Sequence, residues 1–167
     1  MKLDRRLSEK FFKAVEAVPF FSRLAVGGAK NLVWVLVFTI LFWQIFVYTF
    51  EVRSFLAVII SVAVVWSCQL SLAYLINRRR PFQQNHEKPL LKILWNTPSF
   101  PSGHTSLACA MAAAVFVQDP VWGAGFFILA AIVGLSRVAV GVHYFSDIIG
   151  GAVLGIGVGT VVVLLVV

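Results

Sequence analysis

Charged residues are scarce in this chain: Asp, Glu, Lys and Arg make up 13% of its 167 residues, against about a quarter in an ordinary soluble domain. Acids are the scarcest, at seven, and form no cluster of the kind that holds Mg²⁺. Histidine occurs three times and cysteine twice. Cys68 and Cys109 each lie inside an apolar run with no partner at metal-ligand spacing, so a disulfide framework and a zinc site are excluded and both thiols read as small packing groups. The 14 Lys and Arg give a net charge of +7. No soluble basic domain, zinc-finger spacing or aromatic-basic repeat accompanies that charge, which excludes nucleic acid as the partner.

What the chain has in abundance is apolar: 60% of residues are hydrophobic and the mean hydropathy is +0.91. This is the composition of an integral membrane protein, and the length suits a single domain over 1–167. A bilayer core needs about 20 apolar residues per helix. Runs at Leu32 to Phe50, Ser54 to Ile76, 101–117, 121–140 and from Asp147 onward predict an all-α polytopic membrane bundle of about five transmembrane helices over 32–167. Trp34, Trp43 and Tyr48 are candidate interfacial anchors. Gly151, Gly155 and Gly159 recur every fourth residue, a stripe that lets a neighbouring helix approach closely.

Residues 1–30 are mixed. Lys2, Arg5, Arg6, Lys10, Lys13, Arg23 and Lys30 alternate with Leu3, Leu7, Phe11, Phe12, Val15 and Phe20, which predicts an N-terminal amphipathic helix lying in the interface, broken at Pro19. Five spans put residues 1–31, 77–101 and 137–146 on one side, carrying 13 of the 14 Lys and Arg and leaving Arg53 opposite. The positive-inside rule makes that side cytoplasmic.

Phe100-Pro101-Ser102-Gly103-His104 places polar and small residues at the mouth of an apolar run. A helix starting here tolerates Pro101 in its first turn and presents free N–H groups to an anion. Ser102 adds a hydroxyl, Gly103 permits close approach and His104 can move a proton. A second group, Ser136-Arg137, His143 and Asp147, falls at the junction of the fourth and fifth spans, where polar groups near membrane depth are costly and functional. His143 and Asp147 are four apart, so the carboxylate can hold one imidazole nitrogen and leave the other as a nucleophile. Arg137 can clamp two phosphoryl oxygens. Arg78-Arg79-Arg80-Pro81 closes the second span on the same face. His86 and Trp95 lie in the connection that follows; His86 reads as solvated and Trp95, with Phe100, flanks the motif.

Arg80-Pro81, then Pro101-Ser102-Gly103-His104, then Ser136-Arg137-x5-His143-x3-Asp147 resembles the three-part signature of the type 2 phosphatidic acid phosphatase superfamily, over residues from about 70 onward. That superfamily includes membrane lipid phosphatases and prenyl-diphosphate phosphatases. The first part departs from the usual Lys-x6-Arg-Pro, because the lysine position is Ala73; Arg78, Arg79 and Lys88 are candidate replacements. The resemblance implies that His143 attacks phosphorus to form a phosphohistidine while Asp147 orients it. His104 protonates the leaving group and then activates water, and Arg80, Arg137, Ser102 and the Gly103 N–H hold the phosphoryl oxygens. No metal or cofactor is implied.

The expectation is a membrane lipid phosphatase that removes a terminal phosphate from a phospholipid or a polyprenyl (di)phosphate such as undecaprenyl diphosphate, in a bacterial or archaeal cell membrane. A lipid phosphotransferase using the same intermediate is the alternative within the enzyme class. A non-enzymatic anion transporter is the alternative outside it, disfavoured because no inverted repeat is present and the polar groups gather at one face.

Overall fold

The computed structural model describes residues 2–48, 51–85, 88–93 and 97–167, so His86 and Trp95 lie outside the described residues. Among those described, the chain is helices and turns without a strand, as the apolar runs require when every backbone group must be satisfied within lipid. The elements are α1 (Lys2–Glu16), α2 (Pro19–Phe42) running into a π-helical turn (Trp43–Val47), α3 (Val52–Ile76), the short α4 (Pro81–Asn85), α5 (Gly103–Gln118), α6 (Pro120–Ala139) and α7 (Phe145–Val166). Four segments, Pro19–Val47, Val52–Gln84, Pro120–Ala139 and Phe145–Val166, are long and apolar enough to cross a membrane, and α5 is an apolar helix too short to qualify alone. With α5 they make up the expected bundle.

Two expectations change at the N-terminal end. The break at Pro19 is where it was placed, but residues 19–30 belong to α2 rather than to an interfacial leader. Pro19 starts the helix because its missing N–H is one of the orphan donors there. Arg23 and Lys30 do not interrupt the helix because both are exposed on long stems that reach water. Trp43 is not an interfacial anchor: it is 1% exposed, turned into the bundle by the π-helical turn and stacked on Tyr48 at 4.8 Å between ring centroids.

α5 is the centre of the bundle, packed against α3, α6 and α7. Its buried residues include Ala108, Ala110, Ala112, Ala113 and Ala114, small side chains that bring helix axes close where lipid supplies no hydrophobic drive. The α7 glycine stripe faces it. A Cβ on Gly151 would lie 2.8 Å from the Ser102 carbonyl, one on Gly159 3.0 Å from Ala110 Cα, and one on Gly155 would run into the Ser106 carbonyl. The stripe is therefore a helix-packing surface, and Leu75, Val121, Val153 and Leu165 point outward, as residues facing lipid should. This packing brings the C-terminal ends of α3 and α6 and the N-terminal ends of α5 and α7 together, and α1 lies over that end through its contacts with α6 and α7.

Candidate active site

The turn between α6 and α7 carries the nucleophile candidate. α6 ends at Ala139, and Gly141 takes φ +78, a left-handed conformation suited to glycine. A Cβ at Gly141 would lie 2.9 Å from the Phe12 ring of α1, so this turn is shaped by α1 as well as by its own backbone. The Leu90 N–H donates to the Val140 carbonyl at 3.1 Å and ties the 88–93 loop to the same turn. His143 precedes the N-cap Tyr144, and Asp147 is the third residue of α7. The two are thus not paired along one helix, as their spacing suggested. Asp147 reaches back to accept from the Tyr144 N–H at 2.8 Å, the ordinary job of an acid at this position, and that turns its carboxylate toward His143.

His143 is 3% exposed and Asp147 fully buried. Nδ1 of His143 lies 3.5 Å from Asp147 Oδ2 and 3.4 Å from Ser99 Oγ, while Nε2 lies 3.4 Å from the Arg80 guanidinium. A guanidinium only donates, so Nε2 must carry the lone pair and Nδ1 the proton. That tautomer is the one a nucleophilic Nε2 requires. Burial pushes the His143 pKa down to about 4; Asp147 opposes this by hydrogen bonding, and the charges of Arg80 and Arg137 reinforce it. Asp147 Oδ2 also accepts from Ser99 Oγ at 2.5 Å, and Oδ1 from Arg78 Nη1 at 2.7 Å.

Arg80 is 5% exposed and is held by Thr97, whose carbonyl and hydroxyl accept at 2.8 and 2.9 Å, and by the Val142 carbonyl at 3.3 Å. Arg137 is 6% exposed; Nη1 donates to the Ala29 carbonyl at 3.0 Å, and its buried Nε has no partner. His104, half-buried at the start of α5, is within electrostatic reach of Arg137, His143 and Arg80. Two forked cations, one of them with an unmet buried N–H, and two imidazoles therefore lie within charge-interaction range of one another, an arrangement suited to a tetrahedral oxyanion.

The Pro-Ser-Gly-His stretch is built differently from the expectation at one point. α5 begins at Gly103 with Ser102 as its N-cap, so Pro101 precedes the helix and is not in its first turn. Gln69 of α3 donates to the Pro101 carbonyl at 3.1 Å and packs against Gly103. The Ser102 N–H donates to the Asp147 carbonyl at 3.0 Å, which joins the second and third motifs through the backbone. Ser102 is fully buried, and its hydroxyl accepts from Thr105 at 2.9 Å while keeping its own proton.

Of the candidate replacements for the lysine at Ala73, Arg78 is engaged behind Asp147 rather than in front of His143. Arg79 is exposed beside a cavity of about 400 Å³ that it lines with Asn77, Gln83 and Thr97. Lys88 is exposed at a cleft that His143 also lines. Ala73 itself is fully buried on α3. Ser99, Thr97, Gln69 and Asp4 carry roles that sequence reasoning missed. Each is a lone polar residue without a spacing signal; the nearest to one is Ser99, two residues before Pro101.

Residues 33–167 match the model of the PAP2 superfamily, so the match begins well before residue 70. YbjG of Escherichia coli (strain K12), provisionally named an undecaprenyl-diphosphatase, is 27% identical over 141 residues, covering 84% of this chain and 71% of that one. Other curated relatives match over less than half of their own length. The crystal structure of Aquifex aeolicus LpxE is similar with a TM-score of 0.69 and 26% identity, over 92% of each chain. That of a transmembrane PAP2-type phosphatidylglycerolphosphate phosphatase from Bacillus subtilis has a TM-score of 0.71 at 24% identity, over 96% of this chain and 83% of that one, a likeness of fold. A family match over four-fifths of the sequence, on a bundle of membrane-length helices, makes this chain a member of the PAP2 superfamily.

Proposed function

We propose that the protein hydrolyses the terminal phosphate of a phospholipid or polyprenyl (di)phosphate through a phosphohistidine. The observation that carries this is the orientation of His143: Nδ1 faces Asp147 and Nε2 faces the Arg80 guanidinium, within reach of the same charges as His104. In the first step Nε2 forms a bond to phosphorus as the bond to the leaving oxygen breaks, and His104, which holds its proton once the bound phosphate offsets the charges of Arg137 and Arg80, gives it to that oxygen. In the second, His104 takes a proton from water, whose oxygen displaces His143. Arg80, Arg137, Ser102 and the Gly103 N–H hold the three equatorial oxygens, where charge builds up. The polyprenyl class draws support from the relative named above, and the lipid setting from the outward apolar faces of the helices.

The test is a panel of phosphatidate, phosphatidylglycerophosphate and undecaprenyl diphosphate, with and without EDTA, read as free phosphate. Hydrolysis of at least one member, unchanged by EDTA, is expected. Loss of activity with EDTA would overturn the histidine-only mechanism, and loss of phosphate from the donor only when a lipid acceptor is added, with the phosphate recovered on that acceptor rather than free, would make the protein a phosphotransferase. The reaction is read as cytoplasmic, because α1 with its basic residues lies on the same face as the site. The same panel in oriented vesicles checks this: inverted vesicles should turn over added substrate and right-side-out vesicles should not.

The pH profile follows from His143. An unperturbed imidazole loses its lone pair to a proton below about 6.5, but burial holds His143 neutral down to about 4. The acidic limb of kcat/KM, corrected for ionisation of the substrate, should therefore lie near pH 4, since this ratio reports the free enzyme. A limb near 6.5 would mean that the nucleophile is solvated.

A further inference from the structure

α1 holds none of the residues that the motifs assign to chemistry, yet its first turn reaches the reaction centre. Asp4 Oδ2 accepts from Arg78 Nη2 at 2.8 Å and from Ser146 Oγ at 2.6 Å, and Oδ1 accepts from the Ser146 N–H at 3.1 Å. The other amino group of Arg78 donates to Asp147 Oδ1 at 2.7 Å and to Ser146 Oγ at 2.5 Å. Its guanidinium also lies over the Tyr144 ring, 4.1 Å from the centroid. The Arg78 and Asp4 side chains are 17% and 19% exposed, and Asp147 is fully buried. Burial alone would raise the Asp4 pKa, but hydrogen bonds from Ser146 and Arg78 outweigh it and hold the carboxyl below its usual range.

The chemistry of an arginine explains why Asp4 is needed. A guanidinium carries five donors in a rigid fork on a flexible stem. A single carboxylate oxygen on one edge leaves the fork free to turn and the remaining donors poorly met in a shielded place, which is costly. Asp4 meets the second terminal amino group, Ser146 bridges from the first to Asp4, and the Tyr144 ring covers one face of the fork. Arg78 is then fixed, and with it the rotation of the Asp147 carboxylate whose other oxygen faces His143.

We propose that Asp4 is a positioning residue: from α1 it fixes the Arg78 guanidinium, which holds the Asp147 carboxylate in the orientation that His143 requires. The inference rests on the proposed nucleophilic role of His143. It also explains why Arg78 does not replace the missing lysine, since both of its terminal amino groups are already committed.

The test uses the full chain with four single variants and one double variant. Asp4→Asn keeps the shape and the acceptor for the Ser146 N–H but removes the charge that Arg78 meets. It should lower kcat about tenfold, the effect of losing one charge-assisted hydrogen bond, with KM little changed. Arg78→Gln should cost at least as much, and the double variant should be no slower than Arg78→Gln alone, because both break one chain of contacts. Asp4→Glu should recover part of the loss. Ser8→Ala removes a different α1 contact to the same turn, the acceptor of the Phe145 N–H at 3.0 Å, and should leave kcat within about twofold if docking of α1 alone is not the cause. Independent, multiplying losses for Asp4→Asn and Arg78→Gln, or an equal loss in Ser8→Ala, would overturn the proposal. A second readout needs no turnover: the ring ¹⁵N resonances of His143 should move in Asp4→Asn and Arg78→Gln but not in Ser8→Ala. Wild-type protein that hydrolyses no lipid phosphate would sink the functional reading, while the resonances would still decide the positioning role.

Discussion

His143→Ala should lower phosphate release by about 10⁴-fold or more, because a covalent route loses its first bond-forming atom and the remaining groups can only bind and polarise. The side chain is buried but makes weak contacts, its ring nitrogens lying 3.4 to 3.5 Å from Ser99, Asp147 and Arg80. The variant should therefore fold, and binding of inorganic phosphate should persist through Arg80 and Arg137. The companion measurement is chemical trapping: labelled substrate should leave acid-labile, base-stable label on wild-type protein and none on the variant. Hydrolysis by His143→Ala at more than about a hundredth of the wild-type rate would sink the phosphohistidine route.

Asp147→Asn should be nearly as severe, lowering kcat by about 10³- to 10⁴-fold, as expected when the orienting acid of a catalytic histidine becomes an amide and the tautomer is no longer enforced. The local contacts make the change worse than its size suggests. Donors surround the Asp147 carboxylate: Arg78 at Oδ1, and Ser99 and the Tyr144 N–H at Oδ2. An amide can present only one oxygen, so in either orientation its NH₂ faces a donor across a hydrogen-bond distance. The result is a loss of stability by about 1–3 kcal/mol for the group left unmet, visible as a lower melting temperature in detergent. A kcat within tenfold of wild type, in protein of normal stability, would show that Asp147 is only a helix cap.

The large-scale arrangement was legible because lipid imposes a length and an apolar composition on any spanning segment. The ends of α3, α6 and α7 fall within two residues of their apolar runs. The N-terminal end of α2 was not legible, since an interfacial half-turn and a charged loop look alike until Pro19 is seen to start a helix. Within the site, the residues that bear reactive groups were readable from three short spacings. The residues that hold them were not: Thr97 on Arg80, Ser99 on Asp147 and Asp4 on Arg78 are single polar side chains brought in from sequence-distant places. Arg78 shows the limit most sharply. In the sequence it is one of three adjacent arginines beside an anion site, and only the placement of Asp4 and Asp147 reveals that it neutralises acids instead.

The shortness of α5 has a consequence for where the products go. Sixteen residues rise about 24 Å, against a hydrocarbon core of about 30 Å. The far end of α5 passes directly into Asp119, which caps α6 through the Val121 and Trp122 N–H groups, so that end is fixed by a polar residue at the opposite boundary. Under the proposed function the shortfall falls at His104, so the reaction centre would sit slightly below the plane of the head groups and a lipid phosphate would reach it by sinking a fraction of its head-group height, without lifting its tail. The products would then part by solubility alone, phosphate upward to water and the dephosphorylated lipid sideways into the leaflet.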